Sequence, residues 1–401
     1  MAYGTVLKEQ REVLHGQTAQ AIERLYKDNL DEHYDELAYH YQCGGSVEKA
    51  IEYLQKAGQQ AARRSANAEV IDHLTAALDL LLKRPETLDR ATQELQLRLI
   101  LGPALLAAQG WAVPAVEQNY TRARMLSVQL GDARARFQVL WGLRTFYMGR
   151  GDMRTAQAMA EECLQVAEQV NQTEMLLQAH YALGVIYQWR GELVRGREAL
   201  GRSLALCRRQ LQAQTPFYGG QNPKVSILRR MALVLWYLGY PEQTLKWKQE
   251  ALQLAREIGQ PYDLMFASYY TIMMHLERGD GRVAQEYADG LVALASEHGF
   301  VHFLPVGALY RGAALIVQGQ WEEGIAQVQQ GLDASVGEGL KTEHLTWLAR
   351  GYKGVGRVKE GLAAVAEALR LVEKNDERYY AAEVWRMKGE LLLAQASKLG
   401  D

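Results

Sequence analysis

The chain has 401 residues, with 45 Lys plus Arg against 47 Asp plus Glu and a formal net charge of -2. This balance leaves no sequence-wide basic field for a phosphate backbone, so nucleic acid is not expected as a direct partner. The three cysteines, Cys43, Cys163 and Cys207, form no CxxC pair, which argues against a disulfide framework or a zinc site. No signal segment is present, and no apolar stretch approaches the roughly 20 residues of a membrane helix. We therefore expect a cytoplasmic protein that no membrane segment anchors.

The composition is that of helices rather than sheets. Only eight prolines occur, strand-like alternation is absent, and Ala, Leu, Gln, Glu and Arg dominate. Apolar periodicity predicts a chain that is about three-quarters helix and has no sheet. In chain order, the predicted helices cover residues 6–27, 32–43, 47–64, 67–83, 87–109, 114–130, 133–150, 153–170, 173–190, 193–212, 224–238, 242–258, 262–278, 282–298, 302–318, 321–335, 341–354, 358–374 and 378–396. The longest interruption, 212–224, is predicted to be an ordered, exposed loop.

Glycine breaks divide the later helices into pairs. Six glycines punctuate the pattern at regular distances, namely Gly151, Gly191, Gly239, Gly279, Gly319 and Gly356. Their spacings by subtraction are 40, 48, 40, 40 and 37 residues. A repeat of this length, with one break per pair of helices, is typical of a solenoid of helix-turn-helix units.

Two helix pairs, one before the glycine ladder and one within it, carry the spacings of the tetratricopeptide pattern. The matching residues are Leu37, Ala38, Tyr41, Gly45, Ala50, Leu54 and Ala57 in one unit, and Leu183, Gly184, Tyr187, Gly191, Leu200 and Leu204 in the other. A small residue such as Gly184 or Gly312 lets the first helix of a pair, helix A, approach the second, helix B. Thr244 and His275 depart from the pattern. Helix 47–64 is expected to serve twice, with small residues facing helix 67–83.

Nearly the whole chain resembles the tail of a bacterial signalling family. The resemblance is clearest in Glu32–Tyr41, Glu48–Leu54, Gly110–Pro114, Tyr218–Pro223 and Gly389–Ala394. In these segments the chain resembles the tetratricopeptide region that follows a STAND-type ATPase core in cyclase fusions and LuxR-type regulators. This resemblance implies a right-handed α-α superhelix that senses a ligand and contacts ATPase and effector domains within the same protein. The family's P-loop motif is missing from the sequence, so nucleotide hydrolysis and cyclase chemistry are not assigned to this chain.

The ends are interpreted from the same resemblance. Residues 1–30 are expected to be an N-terminal helix from the junction to the ATPase core, 31–396 one continuous superhelix and 397–401 a tail. The final helix has no helix B after it. Trp385, Leu391 and Leu392 are therefore expected to be partly exposed or covered by a second copy, which would cause self-association.

Side chains that suggest chemistry have a plainer interpretation. His33, Glu36 and His40 share a helical face, but no fourth metal ligand is visible and a solvated helix edge is favoured. His298 and His302 flank a predicted helix end. The basic doublets are interpreted as solvated helix ends; they are Arg63–Arg64, Arg208–Arg209 and Arg229–Arg230. No catalytic residue, cofactor or metal is expected.

The candidate binding surface follows from repeat geometry. The residue three before the small position of helix A should face the groove, which gives Trp141, Tyr181, Arg229, Tyr269 and Leu309. An aromatic stripe with one cation suits a peptide or a partner helix, although rings of this kind also pack between helices. The leading hypothesis is a sensor module that binds a protein, peptide or small ligand in the groove. The alternatives are a stand-alone scaffold, which needs polar caps, and a helical-repeat enzyme, which needs an acidic or His cluster.

Overall fold

The computed structural model describes residues 8–209, 221–301, 303–335, 337–339 and 341–397, with the side chains of Arg208 and Arg209 left out. It is 84% helical, and no strand occurs in these ranges. A short 3-10 helix, Leu30–His33, precedes α2. The α-helices are α1 Lys8–Leu25, α2 Tyr34–Cys43, α3 Val47–Arg63, α4 Asn67–Leu81, α5 Leu88–Gln109, α6 Pro114–Gln129, α7 Ala133–Arg150, α8 Met153–Val170, α9 Thr173–Trp189, α10 Leu193–Arg209, α11 Pro223–Tyr237, α12 Pro241–Ile258, α13 Pro261–Glu277, α14 Gly281–Glu297, α15 Phe303–Val317, α16 Trp321–Ala334, α17 Lys341–Gly354, α18 Val358–Asn375 and α19 Ala381–Ser397. Each predicted helix is present, and the all-α fold of tetratricopeptide-like pairs is confirmed. None of the described helices is long and apolar enough to cross a lipid bilayer.

The glycine ladder sets the turns inside the helix pairs. All six glycines of the ladder have positive φ, from +73° at Gly191 to +92° at Gly151. A side chain is disfavoured in this region of backbone space, so glycine ends helix A sharply and lets helix B begin two residues later. The start of helix B is fixed locally as well, since the Asp152 carboxylate accepts the N–H of Thr155 at 3.0 Å.

Small residues let paired helices touch. A Cβ added to Gly184 in α9 would lie 2.7 Å from Leu200 Cγ in α10, and one added to Gly312 would lie 2.7 Å from a Val328 methyl carbon. The expectation that α3 serves two neighbours is also confirmed. A Cβ on Gly58 would lie 2.7 Å from Leu74 in α4, while α3 also contacts α2.

The chain divides into two compact units. Unit 1 comprises residues 1–108 and 114–139, and unit 2 comprises residues 109–113 and 140–401. In unit 2 the helices A are the residues of α7 from 140 onward, α9, α11, α13, α15 and α17. The predicted continuity of the superhelix from residue 31 to residue 396 stays a prediction.

Unit 2 closes on itself after five helix pairs. The turn between α7 and α8 meets the connection between α16 and α17, where the N–H of Gly339 donates to Gly149 O at 3.3 Å. The turn after α9 meets the segment between α18 and α19. There the N–H groups of Arg378 and Tyr379 donate to the carbonyl oxygen of Trp189 at 2.9 and 3.2 Å. The helices A consequently face one another across a filled interior rather than an open groove.

The closing segment, Asp376–Tyr380, is held by charge and by rings. The Arg190 guanidinium donates to the Asp376 carboxylate from Nε at 2.9 Å and from Nη2 at 2.7 Å. The rings of Trp189 and Tyr379 meet edge to face, with centroids 5.1 Å apart. Because 186 residues separate Arg190 from Asp376, these contacts join distant repeats of unit 2.

Candidate functional site

The five residues predicted to line the groove lie on five successive helices A of unit 2. All five side chains are buried, with exposed fractions from 3% to 6%. Closure of unit 2 explains the burial, because rings from outside the helices A also enter the interior: Trp111 meets Phe266 and Phe303, and Tyr379 meets Trp189 and Tyr237. Their role in binding a ligand stays a prediction, and any ligand that reaches them has to enter the interior of unit 2.

Neighbouring members of this row touch one another. The rings of Trp141 and Tyr181 stack with centroids 6.1 Å apart, and Arg229 Nη2 donates to the Tyr181 hydroxyl at 3.2 Å. Tyr269 meets the ring of Tyr310, with centroids 5.3 Å apart. Leu309 packs instead with Ile316, Ile325, Val328, Leu348 and Tyr352. In α15 the spacing rule selects Leu309, whereas the residue that contacts the ring of Tyr269 is its neighbour Tyr310.

The interpretation of Arg229 and Arg230 as a solvated helix end is wrong. Both guanidinium groups are buried in the interior of α11. Arg229 lies over the rings of Phe266 and Tyr270, at 4.6 and 4.8 Å from their centroids, and Arg230 lies 4.7 Å from the centroid of Tyr270. Aromatic faces replace water around these cations. The sequence around the doublet shows no acidic residue that would pair with these arginines inside the protein, so their burial could not be predicted.

A third buried guanidinium, that of Arg144, belongs to the same neighbourhood. It lies 4.5 Å from the ring centroid of Trp141, and its Nη2 donates to Thr145 Oγ1 at 3.1 Å. Burial lowers the pKa of Arg144 to about 10. For Tyr181, burial would raise the pKa, but the charges of Arg229, Arg230 and Arg144 outweigh it and lower the pKa of the phenol. Three cations thus surround one hydroxyl group.

Acidic groups occupy another part of the interior of unit 2. Glu343 in α17 is buried and accepts a hydrogen bond from the Tyr379 hydroxyl at 2.9 Å. Burial and the neighbouring Glu277 raise the pKa of Glu343 to about 8, and burial raises the pKa of Glu277 to about 7. A hydrogen bond with Tyr380 of the closing segment lowers the pKa of Glu277 but does not outweigh its burial. Both carboxyl groups therefore keep their protons to higher pH than an ordinary glutamate does.

The other predicted sites have simpler structures. His33 Nδ1 lies 3.0 Å from Glu36 Oε2, whereas His40 Nδ1 lies 2.8 Å from His15 Nδ1 on α1. Within the described ranges, no three His, Cys, Asp or Glu side chains gather as metal ligands would. His302 lies outside those ranges, as do the side chains of Arg208 and Arg209 and most of the predicted loop 212–224.

The last helix exposes part of its apolar face. Trp385 is 56% exposed and Leu392 is 47% exposed, whereas Leu391 is fully buried. A Cβ on Gly361 in α18 would lie 2.8 Å from a Leu391 methyl carbon, so this leucine faces its neighbouring helix. The predicted partial exposure therefore applies to Trp385 and Leu392, and self-association stays a prediction.

Comparison with known proteins supports the fold. No family model matches the chain. It is 24% identical over 410 residues to an uncharacterized protein of Rhizobium meliloti (strain 1021), and it spans only 39% of the length of that relative. A Rap protein solved in complex with Competence and Sporulation Factor has a TM-score of 0.54 at 11% identity, covering 86% of this chain and 99% of that one. The apo form of the quorum sensor NprR from B. thuringiensis has a TM-score of 0.54 at 14% identity, covering 89% and 97%. These similarities place the chain among tetratricopeptide-like helical repeat proteins.

Proposed function

We propose that this chain is the interaction and sensor module of a larger bacterial signalling protein. It binds a protein, a peptide or a small ligand through the helices A of unit 2. The observation that carries the proposal is the polarity of this interior, where Arg144, Arg229, Arg230 and Glu343 are all buried. Burying charged or ionisable groups lowers the stability of a fold. An interior built only for stability would hold aliphatic side chains there, as the contact between α15 and α16 does.

The comparisons agree with a sensor. The chain spans 39% of its curated relative, which leaves room there for further domains. Two of the similar structures are a Rap protein bound to a factor and a quorum sensor. A STAND-type ATPase core with a cyclase or LuxR-type effector would be the intramolecular partner, as the sequence resemblance implies. Any ATPase or cyclase activity would belong to those domains.

Signalling would proceed through opening of unit 2. Because the five predicted contact residues are buried, a ligand that touches them has to bind a conformation in which the interior is accessible. Such a ligand shifts the population toward that conformation, to the extent that it binds it more tightly. The closing segment Asp376–Tyr380 is the element that would move, since it joins the helix A turn of α9 to the far end of the unit.

A peptide library displayed on phage and selected on the purified full chain tests this function. Selected peptides should bind in solution, and Tyr181→Phe should weaken them about tenfold through loss of the buried hydroxyl. Tyr240→Phe is the matched control, because Tyr240 is an exposed tyrosine of the same unit. Selection of no peptide above an unrelated helical protein, or equal affinity for wild type and Tyr181→Phe, would reject the proposed site.

A further inference from the structure

The three buried guanidinium groups of unit 2 lack an acidic partner. Arg144, Arg229 and Arg230 are each more than nine-tenths buried. Among the residues that the structure describes, none of the three forms an ion pair with a carboxylate within 4 Å. Other arginines of unit 2 do find one, as Arg190 does with Asp376. Unpaired buried charge is costly, so this arrangement calls for a reason.

The polar contacts of the three groups are incomplete as well. Arg229 donates to Gln221 Oε1 at 2.7 Å, and Arg230 donates to Gln188 Oε1 at 2.8 Å. One nitrogen of each guanidinium has no hydrogen-bond acceptor, namely Arg144 Nε, Arg229 Nη1 and Arg230 Nε. A buried N–H that finds no acceptor destabilises the fold, and an incoming acceptor would remove that penalty.

Asp263, a nearby acidic group, offsets this charge only in part and forms no ion pair with the three arginines. Asp263 feels the charge of Arg229, but its carboxylate accepts the backbone N–H of Asn222 at 2.9 and 3.1 Å, and burial raises its pKa to about 6. The Cys163 thiol stays protonated, because burial raises its pKa to about 12. Even if Tyr181 were ionised as well as Asp263, at least one of the three positive charges would remain without a counterion.

Aromatic rings lie next to all three guanidinium groups. Each group lies over an aromatic ring at 4.5 to 4.8 Å, with Trp141, Phe266 and Tyr270 supplying the rings. A ring is no substitute for a hydrogen-bond acceptor in the plane of the cation, and one nitrogen of each group lacks such an acceptor. The planar N–H pairs of a guanidinium group suit the two oxygens of a carboxylate or phosphate.

We propose that Arg144, Arg229 and Arg230 form a binding site for an anionic group, a carboxylate or a phosphate, carried by the ligand of unit 2. The inference rests on the proposed function and names the chemistry that the sensor recognises. The anion would accept the unsatisfied N–H groups and supply the missing counterion. The aromatic rings around the cations would then contact the part of the ligand next to the anion.

Anion binding can be measured without knowing the ligand. Melting of the full chain would be followed at constant ionic strength with inorganic phosphate, with trialanine bearing a free carboxylate, and with trialanine amide. We expect phosphate or free trialanine to raise the melting temperature saturably, since either binds the folded state. A response to free trialanine alone indicates a peptide carboxylate, and a response to phosphate alone indicates a phosphorylated ligand.

Variants distinguish this site from general ion effects. Arg144→Gln and Arg230→Gln should reduce anion affinity at least tenfold, and without anion they should melt no lower than wild type because each removes unpaired charge. Arg230→Lys, which keeps the charge, should retain part of the response. Arg190→Gln is the matched control, because its partner is Asp376; it should melt lower yet keep the anion response. The anion site is overturned if no anion raises the melting temperature of the wild type saturably. It is also overturned if the rise is equal in the wild type and in both Gln variants. Such a result would leave the binding of library-selected peptides unaffected. The sensor function is therefore tested separately from the anion site.

Discussion

Units 1 and 2 both bury charged side chains, but the surroundings of the charge differ. In unit 1 the buried Glu94 accepts a hydrogen bond from Arg98 Nε at 2.8 Å and from Arg122 at 2.9 and 3.0 Å. These bonds outweigh burial and lower the pKa of Glu94. In unit 2 the interior arginines have rings and amide oxygens around them instead of a carboxylate. In unit 1 the buried carboxylate therefore has its counterions within the chain. In unit 2 the buried arginines have no carboxylate partner within 4 Å among the described residues, and we propose that the ligand supplies one.

The largest effect is expected from the aromatic contacts of unit 2. Tyr269 is buried among Tyr270, Tyr310 and Phe266. Tyr269→Ala should lower the free energy of unfolding by about 4 kcal/mol, because it leaves a cavity in place of a buried ring. Urea denaturation measures the loss, with the exposed Tyr240→Ala as control. A variant as stable as wild type would show that Tyr269 lines an open surface.

Removal of the carboxylate from unit 1 gives the next largest effect. Glu94→Gln leaves Arg98 and Arg122 without their common anion, and it should cost about 3 kcal/mol of stability. The matched control is Glu69→Gln, since Glu69 forms an exposed pair with Arg64 that contributes less than about 1 kcal/mol. Hydrogen exchange in α5 and α6 separates the two outcomes. Equal protection in both variants would remove the contrast between the units.

Glu343 and Glu277 of unit 2 should respond to pH in the direction opposite to Glu94 of unit 1. Glu343 and Glu277 have folded pKa values raised to about 8 and about 7, so their contribution is present at acid pH and is lost as pH rises toward 8. Glu94 has a lowered pKa, so its contribution is present at neutral pH and is lost in acid, as pH falls below its usual range. Hydrogen exchange measured across this range should show α13 and α17, which carry Glu277 and Glu343, loosening at the alkaline end and α5, which carries Glu94, at the acid end. Glu343→Gln should flatten the alkaline loss, and an unchanged profile would count against the assignment.

The smallest effect concerns the outside of unit 2. If Trp385 and Leu392 mediate weak self-association, sedimentation should show dimers that increase with protein concentration, and Trp385→Ala should reduce them. Leu391→Ala serves as the contrast, because Leu391 is buried and its loss should lower stability without a specific effect on association. A monomer at every accessible concentration would end this prediction.

The helices and their turns could be predicted from local sequence. Helical periodicity placed all the α-helices, and the glycine ladder marked backbone positions with positive φ. Small residues marked the close contacts, as Gly184 and Gly58 show. These features depend on residues within one repeat and its neighbour, which is the range over which a sequence pattern carries information.

The interior of unit 2 could not be predicted in the same way. Whether the helices A leave an open groove or a closed interior depends on the rotation from one pair to the next, summed over five pairs. Small differences in that rotation decide whether Gly149 meets Gly339 at all. No single repeat encodes this contact, so a groove was expected where the helices A meet. The acidic pair Glu277 and Glu343 was missed for the same reason, since the two residues belong to different repeats.

The contact between Trp189 and the segment Asp376–Tyr380 changes how unit 2 should unfold. A linear array of repeats is coupled only between nearest neighbours, so its two ends can fray independently. A bond between distant repeats adds a coupling that a linear array lacks. Loss of the Arg190–Asp376 pair would then loosen the pairs around α9 and around α18 together. Unit 2 should therefore unfold cooperatively, and loss of a contact at the closing segment should lower the stability of its distant repeats together.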